Sequence, residues 1–561
     1  YISINVLFSY SVSFYFNKVK KNYFGEFQPF IIFLLGFILI SFLFNLLILF
    51  NYYSLFNALL YLIFFIQIFL IIINFNFLKI VKSNILSVIL SQKTLSIFFF
   101  ILFLISILPI SDADSIALHQ NLSNTIYQNG IKNINFDKNL SFTIFSNTQN
   151  LLLISPIIKS DNFGSQLNLI TLIFFVFCCR KENKNFIFIL FSSPLIIYFV
   201  STQKLQLFFG LIYLITFIQI KDDRIKSKLE LFVITLLLAF YSSGNSSYIL
   251  FASVLFLYFF FKEQRQWRNL ILFSLISFFI TLLPIFVIKH LYFYNFFAPF
   301  FDNFIGSNNL LFKSYSYSIR SMGGWISDPT NYKLYLMPFF PINIASLSSS
   351  LGVIFLLMIF NLKLLKITKY FPLIIIALVL LTGQILPRYY FEAFLILAYY
   401  FSNKDIFSKI IIMTHNMAVL IISLCFIYVS YFSLNVTNNK TEYMNRFSYT
   451  YFNSQQYKKL KIKENILDLS AGRPSTFFEN NIYSARTLNI LTDFDSSSKY
   501  LKEFINQNSI KYIITKDLES LPKCIVTKKI GLINHKKSVR NILKHNKITK
   551  HNVLEIKSNK C

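Results

Sequence analysis

Long apolar segments recur through most of this chain and constrain it more than any other feature. They lie near 1–16, 29–51, 53–78, 95–110, 166–179, 186–200, 205–220, 228–243, 247–262, 268–289, 345–361, 369–385, 388–401 and 409–432. A run of roughly 20 apolar residues crosses a bilayer as a helix, because a helix satisfies its own backbone in lipid. Several segments are shorter, so some are expected to re-enter or to sit buried among others. At 55% hydrophobic and 14% charged over 561 residues, the chain has far more apolar surface than a soluble core needs. The fold class expected is an all-α polytopic membrane protein of about 13–14 transmembrane helices, with a small α/β domain at its C-terminal end.

Basic residues orient these segments. Alternating sides from the first one places Lys18, Lys20 and Lys21, Arg180-Lys181, Lys221–Lys228, Lys262–Arg268, Lys363–Lys369 and Lys404–Lys409 on a single face, the cytoplasmic one. The transmembrane domain is then 1–434, with two long extracytoplasmic loops, 111–165 and 290–344. The first loop holds an apolar piece, Asn150–Ile158, expected to form short helices lying on the membrane surface. Hydropathy falls from Asn435 onward, and 435–561 reads as a soluble extracytoplasmic domain. Its residues 440–561 carry 23 Lys/Arg and 10 Asp/Glu, a net charge of +13. There Ser498–Gln507 reads as a helix and Ile510–Thr515 as a strand.

The whole chain carries +29, which in a soluble protein would suggest nucleic acid. In a membrane protein it points to lipid surfaces instead, and no nucleic-acid partner is expected. The 70 Phe and 33 Tyr accompany abundant Ile, Asn and Lys even in loops, a compositional drift that singles out no ring-stacking site. The dispersed Cys178, Cys179, Cys425, Cys524 and Cys561 give neither metal-ligand spacing nor a disulfide framework. Tyr1 opens the chain without a Met, and the apolar 1–16 precedes its basic cluster, the reverse of a signal peptide. No P-loop or dinucleotide-binding glycine turn is present, which argues against an ATP-driven pump.

Against this background Pro109-Ile-Ser-Asp112-Ala-Asp114-Ser-Ile-Ala-Leu-His119 stands out. Two acids follow an apolar run at a membrane edge, where charge is costly to hold. One reading makes Asp114 the N-cap of a helix beginning at Ser115, with Asp112 capping the end of the span. The other brings Asp112, Asp114 and His119 to one site, to deprotonate a hydroxyl or to hold a divalent cation, Mg2+ or Mn2+, against a phosphate. Arg388 and Glu392, at i and i+4, can pair with each other, or Arg388 can hold a phosphate. Lys204, between two spans, can meet a phosphate or extend to the surface. Arg320 and Trp325 flank the pair Gly323-Gly324 in the second loop. Trp325 suits either a sugar face or the membrane interface. His415 with Asn416 reads as a helix-packing pair, and His535, His545 and His551 as solvated surface.

The Asp112–His119 run, followed by Asn129-Gly130, resembles the first extracytoplasmic loop of GT-C-type membrane glycosyltransferases, the superfamily of protein O-mannosyltransferases and the aminoarabinose transferase. Within it the chain looks most like bacterial multi-span proteins with an Asp-x-x-x-Tyr-His signature. Asp114 falls on the signature acid, and Leu118 replaces the aromatic. Pro387-Arg388-Tyr389 resembles the Arg-Tyr/Phe element near a late span. Tyr294–Phe300 is similar to a Gly-Asn-Pro-Phe-Tyr-Pro-type element, without its Gly and first Pro.

The resemblance implies a glycosyltransferase of the cell envelope, in the inner (cytoplasmic) membrane. It would move a sugar from a polyprenyl-phosphate donor to an acceptor at the outer face. Asp114 would be the catalytic acid or base, supported by Asp112. Arg388, with Lys204 or Arg320, would neutralise the departing phosphate. His119, Glu392 and Trp325 complete the expected substrate contacts. The alternative is a polytopic transporter or a lipid or polysaccharide flippase.

Overall fold

The computed structural model describes residues 1–18, 23–73, 93–112, 114–134, 144–179, 185–221, 225, 227–298, 336, 338–339, 350–363, 370–381, 386–402, 409–437, 440–469, 482–484, 497–516, 521, 525–536 and 548–559. The structure is mostly helical and ends in a five-stranded sheet. It divides into two compact units. Unit 1 is Tyr1–Leu108, Phe145–Ile288 and Gly323–Ile427; unit 2 is Pro109–Ile144, Lys289–Met322 and Tyr428–Cys561.

Unit 1 is built from the apolar segments. Three described helical stretches are long and apolar enough to cross a membrane: Gly25–Leu49, Tyr53–Ile73 and Ile410–Leu434, whose last turns belong to unit 2. A fourth is the pair Gln264–Thr281 and Leu283–Phe293, bent by 44°. Pro284 sits at that break and cannot donate to the preceding turn. Among the described residues six further apolar helices, such as Lys93–Ser106 and Gln206–Lys221, have 10–17 residues. These helices mark a membrane protein. Among the described residues three or four meet the full length, against the 13–14 expected from hydropathy. Part of the difference is breakage: the segment 186–200 forms two six-residue helices, Phe186–Phe191 and Leu195–Val200, separated at Ser192-Ser193-Pro194. Large apolar side chains face outward, Phe65 at 66% and Phe69 at 63% exposure among them, a surface suited to lipid.

The segment expected on the membrane surface is placed differently. Asn147–Leu152 is buried along its whole length, and Ile154, Ser155 and Ile157 of the next short helix are buried too. The cause is a polar network that no hydropathy plot reveals. Asn147 accepts from Ser41 Oγ at 2.7 Å and Asn45 Nδ2 at 2.9 Å, and donates to Ser243 Oγ at 2.5 Å. Asn150 Nδ2 donates to Asn45 Oδ1 at 2.5 Å. Ser146 and Thr148 both donate to the Gly244 carbonyl, at 2.7 and 2.6 Å. Such bonds are what permit short, irregular chain at depth.

Within unit 2 the sheet order is β2-β1-β3-β5-β4, with β1 Asn465–Asp468, β2 Ile482–Ser484, β3 Ile510–Thr515, β4 Ile525–Lys536 and β5 Ile548–Asn559. β1 runs parallel to β2 and β3; β5 is antiparallel to β3 and β4. The helix Ser497–Gln507 contributes Leu501, Phe504 and Ile505 to one apolar face, against Leu467, Ile513 and Leu554. The helix Tyr449–Leu460, capped by Ser448, places Tyr457 on the other, with Ile466, Ile514 and Val553. This is the small α/β domain read from the sequence, and β3 matches the expected strand residue for residue.

Candidate functional site

The Asp112–His119 run lies in unit 2 and separates its two acids. Asp112 Oδ2 accepts from the Ser115 backbone N–H at 2.9 Å and from Ser115 Oγ at 2.8 Å. Asp112 therefore holds the start of the helical turn, the work that one sequence reading gave to Asp114. Asp114 is itself in helical geometry (φ −68°, ψ −40°), buried, and makes no cap bond with its side chain. Ser115–Gln120 then forms a π-helix that continues into the α-helix Asn121–Asn129. A π turn inserts one residue into the helical ladder and occurs frequently at functional sites. His119, half-buried, belongs to it, and its carbonyl accepts from Ser123 Oγ at 3.0 Å. Ile110 and Ile116 anchor the turn against Tyr443 and Met444.

A second cluster lies in unit 1. Lys204 is almost fully buried, at 5% exposure, and its Nζ donates to Tyr198 Oη. Arg388 Nη1 reaches the same hydroxyl at 3.4 Å, and its Nη2 reaches Tyr389 Oη at 3.4 Å. Both cations also lie over aromatic faces, Lys204 at 4.9 Å from Tyr198 and Arg388 at 5.2 Å from Tyr389. Two elements bring them together. Arg388 is on the 3-10 turn Pro387–Tyr390 that leads into the helix Phe391–Ser402. Lys204 is on the loop after Leu195–Val200, and Asn168 clamps that loop. Asn168 Nδ2 donates to the Phe199 and Lys204 carbonyls at 2.9 and 2.6 Å, and Asn168 Oδ1 accepts from the Phe208 N–H at 3.1 Å. Gln203 Oε1 accepts from the Gly164 N–H at 2.8 Å, fixing the same loop from its other side.

Glu392 does not take up its i−4 neighbour. It is buried and accepts from Tyr241 Oη at 2.9 Å. Tyr241 stacks on Tyr248 at 4.7 Å and lies 4.8 Å from Tyr213, so the carboxylate ends in a tyrosine cluster. Lys204, expected either to extend to the surface or to meet a phosphate, does not extend to the surface: it is buried beside Arg388. Arg320 and Trp325 lie outside the described residues. Among the described residues no group of three or more His, Cys, Asp and Glu side chains gathers where a metal ion could sit.

Sequence reasoning missed Tyr198, Tyr241 and Asn168. With 33 tyrosines in the chain, no single one carried a signal. It also misplaced two histidines. His535 and His551 are buried, at 2% and 3% exposure, inside the C-terminal sheet domain. Comparison with family models, with curated proteins and with solved structures finds no match to this chain.

Proposed function

We propose that this protein is an integral-membrane glycosyltransferase that takes a sugar from a polyprenyl-phosphate donor. The observation that carries the reading is the meeting of Lys204 and Arg388 on the Tyr198 hydroxyl. Convergent cationic donors, one of them a planar guanidinium, match the oxygens of a phosphate. Such donors stabilise the charge that builds as the phosphate leaves, most strongly in a site poor in water. Arg388 also stands at the N-terminal end of the helix Phe391–Ser402, where the backbone dipole favours an anion. A lipid-linked donor explains why such a site belongs to a membrane protein. Asp114 is the proposed acid or base, on the strength of its place in the motif. The membrane is proposed to be the bacterial inner membrane, with the loops and the C-terminal domain outside the cytoplasm.

Two measurements test separate parts. Nanodisc-reconstituted Arg388→Gln and Lys204→Gln are each expected to bind a short-chain polyprenyl phosphate about tenfold more weakly, the loss of one charge-assisted bond. Unchanged affinity in both would remove the phosphate site. Membranes carrying Asp114→Asn should show the glycolipid profile of a deletion strain; a wild-type profile would remove Asp114 from the chemistry.

A carrier or flippase is the second reading. Its support is the buried network around Asn147, since carriers place polar groups within the membrane. Those groups bond one another, which favours a role in holding the short helix. Lipid flipping by the reconstituted protein, abolished in Asn147→Leu, would favour the carrier.

A further inference from the structure

The hydroxyl on which Lys204 and Arg388 meet carries a hydrogen of its own. A tyrosine oxygen accepts up to two hydrogen bonds and donates one, whereas an ammonium and a guanidinium only donate. The bonds from Lys204 Nζ and Arg388 Nη1 are therefore both accepted by Tyr198 Oη, and together they fill its acceptor capacity. The O–H is left for a third group, and among the described residues none accepts from it. Tyr198 and Arg388 are partly exposed where Lys204 is buried, so the hydroxyl is within a ligand's reach.

The two cationic donors also strengthen that hydrogen. Each draws electron density from the oxygen, which makes the O–H a better donor. The ring is held in place from several sides. Tyr198 belongs to the helix Leu195–Val200, and its carbonyl accepts from the Ser201 N–H at 3.2 Å and from Ser201 Oγ at 3.0 Å. The next ring, Phe199, meets Phe391 edge-on at 4.7 Å, and Phe391 directly follows the turn that carries Arg388. Donors fixed before a reaction need no reorganisation when charge develops.

We propose that, on the phosphate reading of this site, Tyr198 is its third donor and serves the oxygen that the sugar leaves behind. A sugar-linked polyprenyl phosphate is a diester with two terminal oxygens, which suit the two cations. During transfer the bond between the anomeric carbon and the bridging oxygen breaks, and its electron pair stays on that oxygen. The carbon bonds to the acceptor's hydroxyl oxygen, and the hydroxyl proton passes to a base. The bridging oxygen thus becomes a third terminal oxygen with new negative charge, and Tyr198 donates to it. Such a bond is stronger in the transition state and the product than in the bound donor, which is what speeds a reaction.

Binding by the full-length protein in nanodiscs, measured with a short-chain polyprenyl phosphate and with its methyl ester, tests this. The ester keeps two terminal oxygens and blocks the third. Tyr198→Phe is expected to bind the phosphate about tenfold more weakly, the loss of one charge-assisted bond, and the ester within about threefold of wild type. 4-Aminophenylalanine at position 198 donates through N–H but accepts poorly, so it should hold the phosphate within about threefold of wild type. A residue that merely kept the cations in place would give another pattern. Phenylalanine would then weaken both ligands alike, and the amino group would not rescue binding. Either of those results overturns the third donor, as does unchanged phosphate binding by Tyr198→Phe. If Arg388→Gln and Lys204→Gln still weaken binding in that case, the phosphate reading stands and this inference alone falls.

Discussion

Asp112 and Asp114 are two residues apart and are placed differently, and under the proposed function a substitution at each has a different outcome. Asp112 accepts two hydrogen bonds from Ser115. Asp112→Ala should lower stability by about 1 kcal/mol, the usual cost of a lost cap, with asparagine at the same position largely restoring it. Thermal unfolding in detergent and exchange over residues 115–120 read the effect. Asp114→Asn should instead remove activity with a smaller change in unfolding temperature. If Asp112→Asn abolished activity as fully as Asp114→Asn, the division of labour would be wrong.

At the scale of elements, the loop carrying Lys204 depends on Asn168. Replacing it with leucine leaves two carbonyls and an N–H buried without their side-chain partner, at a cost of about 3 kcal/mol. Asn168→Leu should therefore weaken polyprenyl-phosphate binding along with stability. Gly164→Ala gives a finer test. A β-carbon there would lie 2.9 Å from the Gln203 carbonyl and closer still to its side chain, so the loop must shift. Its affinity should fall with little loss of helix content by circular dichroism.

The helix Lys440–Phe447 makes a prediction about alkaline pH. Burial pushes the Tyr443 hydroxyl up to about 12, against a smaller opposing pull from Ser430 and Ser111. The folded form resists ionisation more than the unfolded form, whose tyrosines titrate near 10. The stability contribution is thus complete below about pH 10 and is lost as pH rises towards 12, by at most about 1.4 kcal/mol per pH unit. Unfolding scans between pH 9 and pH 11.5 should show a shallower loss in Tyr443→Phe than in the wild type.

For the whole molecule, the distribution of lysine and arginine makes a claim about orientation. Reporter enzymes active only outside the cytoplasm should work when fused after Asn245 and fail when fused after Lys221. The opposite result would reverse every loop, including the one that carries Asp114. On the proposed orientation the C-terminal domain, at +13 over 440–561, would face the outer surface of the membrane.

Composition and hydropathy by themselves determined that this is a helical membrane protein with a small α/β domain near its C-terminal end. Burial of apolar segments and strand patterning are local properties, legible wherever enough like residues run together. The same reasoning flagged Arg388, Lys204 and Asp114, because charge beside an apolar run is expensive anywhere. Only the tertiary structure decided what those charges meet. Tyr198 joins Lys204 to Arg388 although it is 190 positions from the latter. Asn147 is buried because Ser41, Asn45 and Ser243 reach it from distant helices. His535 and His551 sit in a lysine-rich stretch that reads as solvated, yet strand pairing turns both inward to Asp468 and Thr549. Hydrogen bonds between remote residues leave no periodic trace in a sequence, so the partners of each polar group became visible only once the chain had folded.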